Sequence, residues 1–200
     1  MFYYERKLKK RGYNLIIGVD EVGWGLLAGP VVAAAVALKT HRFKNRIDDS
    51  KKLTASSREK AFREIIKKSV FGIGIVNERI IDRVNILEAS RIAMEQAIAS
   101  LIEKLKSSKN NRIYIIVDGN VNLKISFPYT KIKKGDSKSK SIASASILAK
   151  VSRDHIMLLY DRIYPQYGFQ RHKGYPTREH RGILKRLGPS LIHRKSFSYV

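Results

Sequence analysis

Hydrophobic residues fall into short runs separated by polar or glycine-rich stretches, and the runs follow two different periods. Residues 15–20 (LIIGVD) and 31–38 (VVAAAVAL) are continuous apolar runs flanking a Gly/Pro loop, the pattern of strands buried on both faces. Residues 71–77, 112–118 and 127–132 predict three more strands. Gly72 and Gly74 are expected to weaken or bulge the first of these. Between 86 and 105 the period changes: Ile86, Leu87, Met94, Ala97, Ile98, Leu101, Ile102 and Leu105 recur at three- and four-residue steps, one apolar helical face. Residues 139–164 predict a long helix whose first half is rich in Ala and Ser, small enough to lie close to a sheet. The polar stretch 41–54 leads into a helix ending at Lys68 with Thr54 or Ser56 as its cap. A polar loop at 107–111 and a short helix near 177–187 complete the pattern. Strands alternating with helices predict one α/β domain over residues 1–200, with a mixed sheet and a helical C-terminal extension over 165–200.

Composition narrows the chemistry. A 44% hydrophobic content supports a folded core, and the absence of cysteine removes disulfides and thiolate metal sites. Any metal must therefore sit on oxygen or imidazole. No apolar run reaches the roughly 18 residues of a membrane-spanning helix, and the charged, aromatic N-terminus does not resemble a signal peptide. A soluble, cytoplasmic, monomeric protein is expected. With 40 Lys+Arg against 17 Asp+Glu the net charge is +23, which points to a polyanionic partner.

Four acids stand out against that background. Asp20 and Glu21 end the first apolar run before a glycine-punctuated loop; Asp118 ends a later run ahead of Gly119-Asn120; Asp136 follows Lys133-Lys134-Gly135 at a helix start. Neighbours on a regular strand face opposite ways, so Glu21 is expected just past the strand end, where the glycines turn the backbone. Asp136 also suits a helix cap or first-turn acid. Singly, these acids fit ordinary roles as strand terminus, turn residue or cap. Jointly, in so basic a chain, they point to Mg²⁺ or Mn²⁺, hard cations that relieve carboxylate repulsion. Two such ions about 4 Å apart suit in-line phosphodiester cleavage.

Six ordered segments carry a family resemblance: GVDEVGWGLLAGPVVAAAV (18–36), DSKKLT (49–54), NILEASRIAMEQAI (85–98), VDGN (117–120), KGDSKSKSIASASILAKVSRD (134–154) and YPQYGFQRHKGYPTREH (164–180). The chain resembles ribonuclease HII along nearly its whole length. The resemblance implies a ribonuclease H-like fold with a five-stranded mixed sheet flanked by helices. It also implies Mg²⁺- or Mn²⁺-dependent cutting of RNA/DNA hybrids and of ribonucleotides embedded in duplex DNA, on their 5′ side, leaving 3′-hydroxyl and 5′-phosphate ends by a two-metal-ion route. Carried over by position, the metal-binding catalytic carboxylates are Asp20, Glu21, Asp118 and Asp136, with Asp154 in support. The resemblance further implies that Gly23-Trp24-Gly25 offers backbone contacts to the 2′-hydroxyl, the group that separates RNA from DNA, and that Tyr175 packs on a neighbouring sugar. In the family context Lys51, Lys52 and Lys173 are expected to bind phosphate, in a field extended by Lys138, Lys140, Lys150, Arg153 and Arg171. Trp24 departs from the family's usual Arg, and Leu26 from its usual Pro; an indole does not replace a planar phosphate donor, so altered affinity or junction preference is expected. His155, His172, His180 and His193 are assigned no catalytic role. The alternative from another class is a non-catalytic nucleic-acid-binding module whose acids are structural.

Overall fold

The computed structural model describes residues 1–105 and 112–199; the polar loop expected at 107–111 lies outside the described residues. In chain order the elements are α1 (Tyr3–Lys10), β1 (Leu15–Val22), β2 (Val31–Leu38), α2 (Ala55–Lys68), β3 (Ser69–Val76), α3 (Glu78–Val84), α4 (Ile86–Lys104), β4 (Ile113–Asp118), β5 (Tyr129–Ile132), α5 (Lys140–Ile163), α6 (Phe169–His172) and α7 (Arg178–Leu187). The five strands form one mixed sheet in the order β3-β2-β1-β4-β5. β1 and β2, and β2 and β3, run antiparallel; β4 and β5 join in parallel. This is the five-stranded mixed sheet with flanking helices that the sequence implied.

Strand alternation sorts the core into two layers. Ile17, Val19, Ala33, Ala35, Ile115 and Val117 pack with Ala93, Met94, Ala97 and Leu101 of α4. Ala34 and Val36 face Ala61 and Ile65 of α2 and Ala145, Leu148 and Ala149 of α5. Gly72 and Gly74 do not bulge β3, because the pairs Ala35↔Gly72 and Ala33↔Gly74 sit in an unbroken ladder. They admit α4 instead: a Cβ on Gly74 would lie 1.9 Å from the Ala93 carbonyl oxygen. Gly18 does the same on the other face, where a Cβ would meet the Ser141 carbonyl carbon at 2.2 Å. The Ala/Ser-rich half of α5 therefore lies directly on β1.

Two helices escaped the hydrophobic pattern. α1 is too polar for an apolar stripe, yet it buries Leu8 and Glu5. The Glu5 carboxylate accepts hydrogen bonds from Ser139 Oγ at 2.6 Å and the Ser141 N–H at 3.0 Å, binding α1 to the start of α5. α3 is separated from α4 only by Asn85, which turns the chain at φ 71° and caps α4 through the Glu88 N–H. Thr54 is the cap of α2, accepting from the Ser57 N–H. Beyond α5, the chain folds back over the Gly23–Pro30 loop, burying Leu27, Ala28 and Met157 with Tyr167, Phe169, Ile183, Leu184 and Ile192.

Gly18→Ala is expected to lower stability in urea unfolding by about 1–3 kcal/mol, because helix and strand backbones must separate. Gly182→Ala, in α7 where an added Cβ meets nothing within 4 Å, is expected to raise it by up to about 1 kcal/mol through helix propensity.

Candidate metal centre and nucleic-acid cleft

The parallel ladder between β1 and β4 ends at Val19↔Val117. One residue further along each strand come Asp20 and Asp118, on the same sheet face because alternation is shared. That face is the α5 face, and Ser146 of α5 hydrogen-bonds the Asp20 carboxylate. Ser146 Oγ in turn lies 3.0 Å from Ser50 Oγ. β5 ends beside Asp118, and the Gly135 N–H donates to Asp118 Oδ1 at 2.5 Å. Asp136 follows in a single 3-10 turn, Gly135–Ser137. It does not cap α5; Ser139 does, through the Ile142 N–H.

Asp20, Asp118 and Asp136 each offer a carboxylate oxygen, and the three oxygens lie within 4.8 Å of one another. An all-oxygen donor set at that spacing fits a hard divalent cation. Burial pushes the Asp20 carboxyl well above its usual range, and Glu21 and Asp118 push it further. Asp136 is raised by burial, then by Asp118 and Asp49. Lys51 is the counter-charge: burial lowers its pKa, but Asp49, Asp20, Asp136 and Asp118 together leave it raised.

Glu21 differs from the expectation in two ways. β1 does not end before it; the strand runs on to Val22, with Glu21 paired to Ala33 on β2, because β2 continues the ladder after β4 has left it. Glu21 also stands outside the three-oxygen cluster. It still lines the same cleft and lies near enough to Asp118 to be raised to about 7, by burial first and that charge second. Trp24, whose only polar group is the indole N–H, lies close enough to the Glu21 carboxyl to hold its pKa somewhat lower.

The cleft holds about 380 Å³ and is lined by Asp20, Glu21, Lys51, Asp118, the segment from Val22 to Leu26, and Tyr175. Trp24 is 43% exposed and Tyr175 39%, two aromatic rings standing in the walls. A Cβ on Gly25 would meet no protein atom within 4 Å, leaving its backbone open to a ligand. Lys150 links the supporting residues: its Nζ pairs with Asp154 at 2.8 Å and lies 5.2 Å from the Tyr175 ring centroid. Asp154 thus stands apart from the three-oxygen cluster.

Of the basic residues, Lys51 lines the cleft, whereas Lys52 faces Asp48 at 3.8 Å. Lys140 Nζ donates to the Ile47 carbonyl, Lys138 Nζ to that of Lys133, and Lys173 Nζ to that of Gln170. Arg171 pairs with Glu179. Arg153 is not a phosphate contact. It is 0% exposed and donates to the carbonyls of Pro30, Lys173 and Ala28 at 2.9, 2.8 and 2.8 Å. Arg194, equally buried, donates to Gly29 at 3.0 Å and Gly23 at 2.5 Å. Burial lowers Arg153 to about 10 and Arg194 to about 9. Hydrophobic periodicity could not flag these two, nor Ser146, since their partners are distant in sequence.

The raised Glu21 pKa fixes a sign. Between 4.5 and about 7 the folded chain holds a proton that the unfolded chain has lost, so this stabilising contribution is complete below pH 4.5 and disappears as pH rises through 7. In chelator at pH 8, Glu21→Gln is expected to exceed wild type in unfolding free energy by about 1–3 kcal/mol. At pH 5 the gap closes, and saturating Mn²⁺ removes it at pH 8 by stabilising the wild type. A gap indifferent to both pH and metal would refute this account.

A sequence model described as Ribonuclease HII matches residues 17–200. The chain is 50% identical over 199 residues to the ribonuclease HII of Acholeplasma laidlawii, covering 98% of this chain and 94% of that protein. Ribonuclease H2 from Pyrococcus horikoshii superposes with a TM-score of 0.69 at 25% identity, covering 92% of this chain and 94% of that one. Bst-RNase HIII in complex with Mn²⁺ shares the fold at a TM-score of 0.73 and 17% identity, covering 92% of this chain and 67% of that one. The chain belongs to the ribonuclease HII family of metal-dependent ribonucleases.

Proposed function

We propose that this chain is an endonuclease that hydrolyses the RNA strand of RNA/DNA hybrids and cuts 5′ of ribonucleotides embedded in duplex DNA, leaving 3′-hydroxyl and 5′-phosphate ends. The observation that carries the reading is the convergence of three carboxylate oxygens within 4.8 Å in a chain of net charge +23. Asp20, Asp118 and Asp136 would hold Mg²⁺ or Mn²⁺, with Glu21 completing the set. When bound, two such ions supply the acidity that makes water an attacking nucleophile and the positive charge that a leaving oxygen requires.

The remaining work falls to the protein. Lys51 offsets phosphate charge at the cleft, and the outlying lysines add a salt-sensitive attraction. Phosphate contacts carry affinity but not discrimination. That belongs to Gly23-Trp24-Gly25, whose open backbone at Gly25 suits close contact with a 2′-hydroxyl, and to Tyr175. Residues 165–200 act as a substrate-contacting extension of the single domain. Among the described residues no helix is long and apolar enough to cross a membrane; a monomer working in the cytoplasm accompanies the proposal.

Purified protein with Mg²⁺ or Mn²⁺ is expected to cut a DNA duplex containing one ribonucleotide on its 5′ side, with end-labelling giving 3′-hydroxyl and 5′-phosphate termini. Asp118→Asn should abolish cutting by at least about 100-fold while keeping duplex affinity, since the phosphate contacts are untouched. An intact duplex with wild-type protein and metal would hand the assignment to the non-catalytic binding module. Trp24→Arg is expected to change the ratio of activities on single-ribonucleotide and all-RNA hybrids; unchanged kinetics on both would dismiss a specificity role for Trp24.

A further inference from the structure

Three histidines lie buried in the C-terminal extension, and their hydrogen bonds leave one tautomer available to each. His193 Nδ1 accepts from the Ser190 N–H at 2.9 Å, so its proton is on Nε2. That Nε2 lies 2.9 Å from His180 Nε2, which must therefore accept, placing the His180 proton on Nδ1. His180 Nδ1 donates to the Tyr175 carbonyl at 2.9 Å. His172, stacked on His180 with centroids 4.0 Å apart, donates from Nε2 to the Tyr167 carbonyl and accepts the Gly174 N–H at Nδ1. His180 and His193 are 0% and 1% exposed, and burial lowers both to about 4, in keeping with neutral rings.

The chain of donors has a direction, from the Ser190 N–H through two imidazoles to the carbonyl of Tyr175. Around that carbonyl the backbone is unusually constrained. Lys173 and Gly174 take left-handed conformations at φ 51° and 86°, the Tyr175 N–H is bound to the His172 carbonyl, and the Gly174 carbonyl accepts the Leu27 N–H. Every segment held here lies beside the cleft, while the tyrosine ring stands exposed in its wall.

We propose that His180, and through it His193, are positioning residues that fix the Tyr175 backbone so that its ring is presented to the sugar of a bound strand. The proposal rests on the reading of Tyr175 as a substrate contact. It assigns the histidines no proton transfer and no contact with substrate.

Amide mimics separate positioning from packing. The asparagine amide occupies the place of Nδ1, and the glutamine amide the place of Nε2. His180→Asn keeps the donor to Tyr175 and loses His193; His180→Gln does the reverse. On a single-ribonucleotide duplex, His180→Gln is expected to raise KM, and Kd measured in chelator, by about 5-fold, the worth of roughly one hydrogen bond, with kcat within about twofold. His180→Asn should stay within about twofold of wild type in all three. In a Tyr175→Ala background the His180→Gln effect should vanish. The His193 pair gives an independent check should His180→Gln not fold: His193→Gln retains the donor to His180 and should stay near wild type, whereas His193→Asn frees the His180 imidazole to carry its proton on Nε2. That removes the donor to the Tyr175 carbonyl and should weaken binding; His180→Asn escapes this because its amide donates in either case.

Equal impairment by Asn and Gln, or an effect that persists without the tyrosine ring, would reduce the histidines to packing and overturn the proposal. Wild-type affinity in Tyr175→Ala would overturn it as well, and would leave the nuclease assignment intact so long as Asp118→Asn still loses cleavage.

Discussion

Backbone-to-backbone contact between α5 and β1 at Gly18 is the constraint on which the rest of this structure depends. A side chain there would hold the helix away from the sheet. With the helix in contact, Ser146 reaches Asp20, and the turn that precedes α5 brings Asp136 against Asp118. Glycine on the strand and alanine and serine on the helix trade side-chain burial for proximity. That proximity gathers three acids contributed by three separate stretches of chain.

Such a gathering is unfavourable by itself. Desolvation and mutual repulsion raise Asp20, Glu21 and Asp136, and a cation is the group that turns this strain into binding. The fold tolerates the metal-free acids because packing elsewhere fixes them. Asp20 is held by Ser146 and the Glu21 N–H, and Asp118 by the Gly135 N–H. The same preorganisation aims their remaining oxygens at one point.

The C-terminal extension is tied to the cleft by buried polar groups as much as by apolar packing. Arg153 and Arg194 take up carbonyls from Gly23, Ala28, Gly29, Pro30 and Lys173. Buried guanidiniums are costly unless their donors are used. Here that requirement locks the loop after β1 to the segment bearing Tyr175. Removing either arginine would leave buried carbonyls without partners. The acidic cluster and the buried guanidiniums therefore do different work: the acids converge on one point, and the arginines hold the surrounding backbone in shape.

The amino-acid sequence by itself determined the strands, the two long helices and the α/β class, because periodicity and glycine placement are local properties. The ordered motifs also identified Asp20, Asp118 and Asp136 together. The end of β1 was not legible at Glu21, because adjacency on one strand says nothing about which neighbour continues the ladder: β4 leaves after Val19, while β2 carries Glu21 as a paired residue. Likewise Arg153, one of several cations near the acids in sequence, reads as part of the phosphate field until the loop at 28–30 closes over it. Gly72 and Gly74 read as defects in a strand until α4 is seen to need their space. Burial, hydrogen-bond direction and carboxylate spacing arise between segments far apart in sequence, so tertiary structure alone decided them.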